Sequence, residues 1–449
     1  MDRRTFNLSS LATVGTALAS NTAFAATTPP AKVGLIGCGW FGGVVLENMS
    51  ANASVEFISL CDPNSQALKS TSQVLAKYQK KNPRTYADYR EMLSSDAHDI
   101  VVISTPDHWH ALPAIAAMKA GADLFLEKPI SVDVIEGEAM VAAARKYKRV
   151  VQVNTQRRST ACLAEAKEKY LRGGRLGKIG VVESYAYFPG PSTDKMTEAN
   201  PPTHLDYELW TGPAPRRPFR PALESRAWRA FMEYGNGQIG DVGVHMLDCV
   251  RWMLDLGWPT KIISSGGIYV RKNDASNISD TQRSQFIYPD LELAWEHRTW
   301  GAPPIVPRHW TDLWGARFIG EKGTLTITTL GYEFTPADGG RREGFHLLSE
   351  TANQDNLDES SFPNVSAEIQ RQHVLDFMNA RANRRRPIAD VEEGHISSAC
   401  CILANIAQQL GRPVSYDPAT RTVRGDPEAT RLLARSYRAP WMHPDPASV

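Results

Sequence analysis

Short apolar segments alternate with longer amphipathic ones through the first third of the chain. The apolar runs predict strands at Lys32–Ile36, Val55–Leu60, Ile100–Ile103, Leu124–Leu126 and Val150–Val153. Helical patterns lie between them, among them Ala111–Ala120 and Val134–Lys146. Continuously apolar strands that alternate with helices are typical of a parallel sheet covered on both faces. We therefore predict an α/β fold that begins with a Rossmann-type, doubly wound parallel sheet over residues 31–155.

The pattern changes after Thr155, where strands follow one another between turn signals. They are predicted at Gly180–Phe188, Ile262–Val270, Gln282–Ile287, Leu291–Arg298 and Thr324–Thr329. Apolar helices are expected at Ile369–Met378 and Ile396–Leu410, and the rest of the chain, through Pro440-Trp441, should pack back on the body. These elements indicate a second unit over residues 156–449, with its sheet ending near 330 and its helices following from about 366.

Composition narrows the class of protein. A chain of 449 residues fits two well-cored domains, and its 42% hydrophobic and 22% charged residues are those of a globular enzyme. The formal net charge of +1 provides no electrostatic attraction toward nucleic acid, so no nucleic-acid partner is expected.

The first 25 residues have the features of a twin-arginine signal peptide. Arg3-Arg4 precedes a mildly apolar stretch, and Ala23-Phe24-Ala25 offers a cleavage site with small residues. The alternative is a frayed tail with a chance arginine pair. The ordered features favour export of a folded protein by the twin-arginine translocation machinery, to the periplasm or beyond. The six cysteines lack disulfide-scaffold spacing and are expected to be core thiols.

A glycine-rich turn follows the first predicted strand. Gly37, Gly39 and Gly42 form G-x-G-x-x-G, which suits a tight turn, close approach to a pyrophosphate and tight packing of the next helix. Asp62 lies 20 residues beyond Gly42, at the end of the second strand. There it would bind the adenosine ribose, which favours NAD over NADP. Alternatively, Asp62 only caps the turn before Pro63.

Two further strand ends carry polar segments, Thr105-Pro106-Asp107-His108-Trp109-His110 and Glu127-Lys128-Pro129. A metal site at Asp107, His108 and His110 is disfavoured because nothing nearby completes a ligand set. Lys128 could be held over a cofactor by the restricted backbone before proline, or it could be a solvated lysine.

These motifs, with Asp241-x-x-x-His245 and Phe318–Leu325, resemble the Gfo/Idh/MocA oxidoreductase family from about Lys32 to Trp441. The resemblance implies a C-terminal α/β domain with a large, mostly antiparallel open sheet, whose open face often joins subunits into dimers or tetramers. It also implies a cofactor site formed by Gly37, Gly39, Trp40, Phe41, Gly42, Asp62, Thr105, Pro106, His110, Glu127 and Lys128.

The resemblance assigns the chemistry to three residues. His245 would be the general acid or base, Lys128 the group that stabilises an alkoxide, and Asp241 a ligand of the substrate. Spacing alone places Asp241 and His245 on one helical face, which a helix cap and a packing histidine would also explain. Asp248 could orient His245 or pair with Arg251.

The substrate is expected to be a carbohydrate. Tryptophans crowd the stretch from Trp295 to Trp314, and aromatic faces suit the apolar faces of sugars, although most tryptophans should be core residues. Weaker substrate candidates are Gln156, Arg157, Tyr187, Tyr234 and His309.

Three functions therefore fit the chain. An exported sugar oxidoreductase with tightly held NAD is preferred, because free nicotinamide is scarce outside the cytoplasm. An NAD-dependent, redox-neutral glycoside hydrolase would use much the same residues. A non-catalytic sugar-binding protein on the same fold is disfavoured by the presence of Lys128, Asp241 and His245 together.

Overall fold

A six-stranded parallel sheet forms the N-terminal part of the molecule, in the order β3-β2-β1-β4-β5-β6. Its strands are β1 (Ala31–Ile36), β2 (Val55–Cys61), β3 (Arg84–Tyr86), β4 (Ile100–Ile103), β5 (Asp123–Leu126) and β6 (Val151–Val153). Every residue of β4 and β5 is buried, as expected for strands covered on both faces. The prediction of a doubly wound parallel sheet is confirmed; only the short edge strand β3 was not foreseen.

A computed structural model describes residues 29–187, 189–190, 196–305, 307, 310–346 and 362–449, apart from the side chains of 362–366. The predicted signal peptide and His309 therefore lie outside the described residues.

Five helices connect these strands: α1 (Trp40–Asn52), α2 (Ser65–Leu75), α3 (Tyr89–Ser95), α4 (Ala111–Lys119) and α5 (Val134–Lys146). Side-chain caps define three of their starts. Asn64 caps α2, Asp88 caps α3 and Asp133 caps α5, each accepting a hydrogen bond from a backbone N–H in the first turn. The start of α1 has no such side-chain cap, because the glycine-rich turn leads directly into it.

An eight-stranded sheet follows, in the order β14-β13-β12-β11-β7-β10-β9-β8. Its strands are β7 (Ile179–Ala186), β8 (Lys261–Gly267), β9 (Thr281–Ile287), β10 (Glu292–Arg298), β11 (Trp314–Gly320), β12 (Gly323–Thr328), β13 (Gly331–Pro336) and β14 (Glu343–His346). Only β7 and β10 pair in parallel, so the predicted, mostly antiparallel sheet is confirmed. The sequence reading missed β11, β13 and β14.

The helices that follow are α6 (Ala161–Ala166), α7 (Tyr207–Thr211), α8 (Val244–Leu254), α9 (Phe362–Ala382), α10 (Val391–Leu410) and α11 (Pro427–Arg431). Helices α6, α8 and α10 pack on one face of this sheet and α11 packs on α10, whereas α7 belongs to a separate aromatic cluster and α9 packs against the first sheet. The core beneath them includes Cys249, Phe286, Trp295 and Phe318. All six cysteines are free and five are buried, as expected for core thiols. No helix in the described part of the chain is long and apolar enough to span a membrane.

The C-terminal part of the chain returns to the first sheet. Helix α9 packs Phe377 against Phe125 of β5, with ring centroids 5.6 Å apart. Asp133 accepts hydrogen bonds from the Arg435 backbone N–H and from His443 Nε2, each at 2.8 Å. The tail therefore packs back on the body, as predicted. A small hairpin, β15 (Tyr416–Asp417) and β16 (Thr422–Val423), precedes this return.

Candidate functional site

A cavity of about 330 Å³ lies at the carboxyl ends of the parallel strands. It continues into a second cavity of about 190 Å³, since Trp40, Phe41, Ser104, Thr105 and Arg229 line both. The first is walled by the glycine-rich turn, Asp62 and Pro106, and the second by Glu127 and the three predicted catalytic residues. The site thus has a nucleotide half and a chemical half.

The three glycines fit a dinucleotide for different reasons. Gly37 has a φ of +93°, and a Cβ there would lie 2.5 Å from the carbonyl carbon of Ser104. A Cβ on Gly42 would lie 2.0 Å from the oxygen of Gly37. A Cβ on Gly39 would have no atom within 4 Å, so protein packing does not require glycine there. The free space beside Gly39 is where a pyrophosphate would approach the backbone.

Asp62 is held at the end of β2 by two backbone N–H groups. Its Oδ2 accepts a hydrogen bond from Cys38 N at 2.7 Å, and its Oδ1 accepts one from Asn64 N at 2.8 Å. Burial raises the pKa of Asp62 to about 6, although both hydrogen bonds oppose this rise. The residue both braces the turn and presents a carboxyl to the cavity, which fits a ribose diol.

The nucleotide half is covered by a segment from the second part of the chain, residues 204–229, here called the strap. Asn64 Nδ2 donates to Glu224 Oε2 at 2.9 Å, and Asp206 N donates to Pro63 O at 3.0 Å. Arg226 lies over the exposed Trp40 ring, 5.1 Å from its centroid. The strap was not foreseen, because its helical turns are too short to show a periodic pattern in the sequence.

Lys128 and Asp241 meet in the chemical half. Lys128, which follows β5, donates from Nζ to Asp241 Oδ1 at 2.7 Å and to Asp241 O at 2.8 Å. Asp241 lies in one π-helical turn, Ile239–Gly243, that leads into α8. Burial raises its pKa, but Lys128 and Arg229 outweigh burial and hold the pKa of Asp241 well below its usual range. The carboxylate is therefore ionised at neutral pH.

His245 is buried in the first turn of α8, with its ring against the edge of Trp314 at a centroid distance of 5.3 Å. Its Nδ1 has no hydrogen-bond partner among the described residues. Burial and the cations Lys128 and Arg157 lower the pKa of His245 well below its usual range, while Asp241 partly opposes them. The imidazole is therefore neutral at neutral pH, the form that can accept a proton.

The residues around Glu127 form the base of the chemical half. Asn154 Nδ2 donates to Glu127 Oε1 at 2.7 Å, and burial raises the pKa of Glu127 to about 7. His110 is fully buried, with its ring nitrogens 2.7 Å from Pro129 O and 3.0 Å from Thr105 O. His110 therefore positions the two strand ends, rather than lining the cavity as predicted.

The weaker substrate candidates separate into two groups. Gln156 and Arg157 line the chemical half, together with Trp310 and Trp314. Tyr187 instead stacks on Tyr185 at a ring distance of 5.2 Å. Tyr234 is completely buried in an aromatic cluster, where its hydroxyl lies 3.3 Å from that of Tyr207. The predicted substrate role of Tyr234 is therefore wrong, because the chain packs it as a core residue.

Neither expectation for Asp248 holds. The carboxylate binds Arg158 through two hydrogen bonds, at 2.7 and 2.8 Å, and accepts a third from Ser397. Arg251 donates instead to Ser397 Oγ at 2.7 Å and to Glu393. Partners about 90 and 150 residues away decided both pairings, and spacing within one helix could not reveal them.

Sequence reasoning missed several cavity residues, among them Arg229 and Thr329, and it considered Asp107 as part of a disfavoured metal set rather than as a cavity residue. Arg229 Nε lies 3.3 Å from Asp241 Oδ1. Asp107 lines the cavity beside Lys128, and burial raises its pKa to about 8. His108, a member of the disfavoured metal set, has its Nε2 3.1 Å from the backbone oxygen of Trp210. Arg229 and Thr329 lie in no recognisable motif, so nothing in the sequence marked them.

Solved structures share this fold at low sequence identity. An oxidoreductase from Agrobacterium radiobacter, in complex with NAD+, L-tartaric acid and magnesium, matches 86% of this chain and 98% of its own with a TM-score of 0.64 and 15% identity. Aldose-aldose oxidoreductase from Caulobacter crescentus, complexed with glycerol, matches 86% of this chain and 99% of its own with a TM-score of 0.62 and 18% identity.

Sequence relatives add a second comparison. A glycosyl hydrolase family 109 protein from Shewanella sp. (strain W3-18-1) is 34% identical over 122 residues, which is 26% of this chain. The match covers 27% of that protein's length, so about three quarters of the relative lies outside it.

Two family descriptions match the chain directly. Residues 31–155 match the oxidoreductase family, NAD-binding Rossmann fold, and residues 184–290 and 355–443 match the oxidoreductase family, C-terminal alpha/beta domain. Both descriptions are those of one family, and together they span most of the chain. The protein belongs to the Gfo/Idh/MocA family of oxidoreductases.

Proposed function

We propose that this protein transfers a hydride between a hydroxyl-bearing carbon of a sugar or sugar derivative and a tightly bound nicotinamide cofactor. The observation that carries the proposal is the meeting of Lys128, Asp241 and His245 in a cavity continuous with the nucleotide half. The bound cofactor would supply the hydride acceptor. The aldose-aldose oxidoreductase with the same fold supports a sugar as the substrate.

The protein groups divide the proton chemistry between them. Neutral His245 would take the hydroxyl proton of the substrate as hydride leaves the same carbon. The Lys128 ammonium, fixed by Asp241, would stabilise the negative charge that develops on the oxygen. Trp310 and Trp314 would pack against the apolar face of the sugar.

NAD is the proposed cofactor rather than NADP. The Asp62 carboxyl at the end of β2 can accept hydrogen bonds from a ribose diol, whereas its negative charge would repel a 2′-phosphate. Asp62→Ala should therefore weaken NAD binding and reduce the preference for NAD over NADP. Unchanged retention of NAD in this variant would mean that other groups hold the ribose.

The test is the ultraviolet spectrum of the purified protein before and after addition of sugars. Lys128→Met and His245→Gln should lower the rate of cofactor reduction by about 10²- to 10⁴-fold while bound nicotinamide is retained. Lys119→Met, at the exposed end of α4, is the matched control and should keep full activity. Full activity in either site variant would overturn these roles. Sugar binding without nicotinamide would favour the non-catalytic alternative.

A redox-neutral glycoside hydrolase is the second candidate, and Asp107 is the observation that favours it. Its buried carboxyl, with a pKa raised to about 8, is protonated at neutral pH and could donate that proton to a departing glycosidic oxygen. The family 109 relative supports the same chemistry. Aglycone release from aryl glycosides without net cofactor reduction would establish it, and Asp107→Asn should then slow the release of poor leaving groups most.

Export is proposed with the same function. A dissociable cofactor would be lost outside the cytoplasm. The protein would therefore bind NAD before twin-arginine translocation and retain it under the strap afterwards. Replacing Arg3 and Arg4 together by lysine should leave the NAD-loaded protein in the cytoplasmic fraction. Unchanged appearance in the periplasm or medium would count against this route.

A further inference from the structure

Arg157 is a buried guanidinium with no carboxylate partner among the described residues. The side chain is 4% exposed, and its Nε and Nη1 atoms have no hydrogen-bond partner in the ranges that the structure describes. It lies over the ring of Trp314, with Cζ 3.9 Å from the ring centroid. Buried donors are normally satisfied, and a buried charge is costly unless it is paired.

The neighbouring Arg158 shows what the fold does with a structural arginine. It is equally buried, yet it donates to both oxygens of Asp248 and to Glu393. Arg157 is the next residue along the chain, but it lines the chemical half of the site instead of pairing with a carboxylate of the described residues. Burial lowers its pKa to about 10, so it stays charged at neutral pH without a protein anion.

The balance of charge around the cavity points the same way. Asp241 is the carboxylate that remains firmly ionised, and it already faces Lys128 and Arg229. Asp107 and Glu127 have raised pKa values, about 8 and about 7, so neither adds a full negative charge at neutral pH. An oxidised nicotinamide ring would add one more positive charge. The assembled site therefore has a surplus of positive charge beside His245.

Groups beside Arg157 could complete a site for oxygen atoms. Gln156 lines the same cavity, and its side-chain amide makes no hydrogen bond through Oε1 to any described residue. Thr329 lines it as well, and its Oγ1 is buried with no hydrogen-bond partner in the described part of the chain. The hydroxyl and the side-chain amide can each donate to a ligand oxygen, as the free N–H groups of Arg157 can.

We propose that the substrate is a sugar acid whose carboxylate binds Arg157, so that this residue determines specificity for acidic over neutral sugars. The inference rests on the proposed function, since it names the substrate class of the same site. Arginine and carboxylate match in geometry as well as charge, and such pairs are among the stronger hydrogen bonds in proteins. Trp314 contacts both Arg157 and His245, so the carboxylate would bind next to the reacting hydroxyl.

The experiment measures binding and chemistry separately on the NAD-loaded protein. The probes are D-glucuronate and D-galacturonate, their methyl esters, and D-glucose and D-galactose. Calorimetry gives the dissociation constants, and absorbance of the bound nicotinamide reports hydride transfer. At least one acid should bind about 10- to 100-fold more tightly than its ester. Arg157→Met should abolish that difference, and Arg157→Lys should restore part of it.

Controls keep the two proposals distinguishable. Arg172→Met, an exposed arginine in another part of the fold, should leave the preference unchanged. The content of NAD in Arg157→Met should equal that of the unmodified protein, which shows that the residue serves the sugar rather than the cofactor. Acid-selective binding without any cofactor reduction would defeat the proposed function but keep this inference. Equal binding of acid and ester, no saturable binding of either acid, or a preference that persists in Arg157→Met would overturn it.

Discussion

Arg158 and Asp248 illustrate the stability of this fold at the scale of single residues. Asp248 is fully buried, and its carboxylate accepts two hydrogen bonds from Arg158 and one from Ser397. Asp248→Leu would leave the Arg158 charge buried with only Glu393 nearby. We expect a loss of about 3–5 kcal/mol in the free energy of unfolding, measured by urea titration.

The control for this prediction is an exposed ion pair. Glu168 and Arg172 pair on the surface, with side chains 62% and 56% exposed. Glu168→Gln should change the free energy of unfolding by less than about 0.5 kcal/mol. Equal effects of the two substitutions would show that the buried pair contributes no more than a surface pair.

His245 should give the enzyme an unusually low acid limit. The imidazole accepts a proton only when neutral, so activity is lost as the pH falls through its pKa. Because burial and the cations Lys128 and Arg157 lower that pKa well below the ordinary histidine value of about 6.5, the acid limb of kcat/KM should lie below about pH 6.5. Arg157→Met removes one of those cations, so the pKa rises and the acid limb should move to higher pH. Profiles measured with a neutral sugar test this; a limb that stays in place would indicate another titrating group.

The strap over the nucleotide half makes a prediction at the scale of elements. Glu224 Oε2 accepts from Asn64 Nδ2 at 2.9 Å and lies 2.8 Å from His204 Nε2, so one carboxylate joins the strap to the residue that caps α2. Glu224→Ala should loosen this closure and raise the rate of NAD dissociation about tenfold, measured by dilution into a cofactor-scavenging enzyme. Glu198→Ala, which removes a partner of Arg220 away from Asn64, should dissociate NAD at the normal rate. Equal rates in both variants would place the barrier to release elsewhere.

Elements with regular patterns could be read from the sequence, and those fixed by distant contacts could not. The predicted bounds of α5, Val134–Lys146, match the structure because Asp133 caps one end and the apolar face continues to the other. Strand β11 was missed, although its residues Phe318–Gly320 were noted as part of a motif. It lies between β7 and β12, and its partner β7 is about 130 residues earlier, a pairing with no local signal.

The site shows the same division. Short sequence motifs at the ends of strands mark four of the site residues, so motif and spacing located them: Gly37, Gly42, Asp62 and Lys128. Tyr234 lies in a turn and Arg229 in a single 3₁₀ turn, and the chain buries the first and aims the second at Asp241. Side-chain direction there depends on packing between segments, which one-dimensional patterns do not contain.

At the scale of the whole molecule, the two family matches do not act as separate bodies along the chain. Helix α9 completes the core of the first sheet, and Arg435 and His443 dock on Asp133 at the start of α5. The C-terminal residues therefore stabilise the fold that carries the cofactor. Truncation after α10 keeps α9 but removes Arg435 and His443, so it should weaken NAD binding and lower the thermal stability. Thermal unfolding with and without added NAD would measure both effects.

The open face of the eight-stranded sheet is where we propose that subunits meet. Val181 of β7 and Ile319 of β11 are neighbours in register, and they are 37% and 38% exposed on the side opposite Val182 and Phe318 of the core. Glu183 and Arg317 form an ion pair on the same face at 2.9 Å, so this surface mixes apolar and charged groups, as interfaces between folded subunits do.

Light scattering should give the mass of a dimer or tetramer rather than 49.7 kDa for the single full chain. Val181→Glu combined with Ile319→Glu would place like charges across that interface and should reduce the mass, whereas Met442→Glu, at an 82% exposed tail position, should not. A mass of one chain for the unmodified protein at micromolar concentration would contradict the proposal, and an unchanged mass in the double variant would move the interface to another surface.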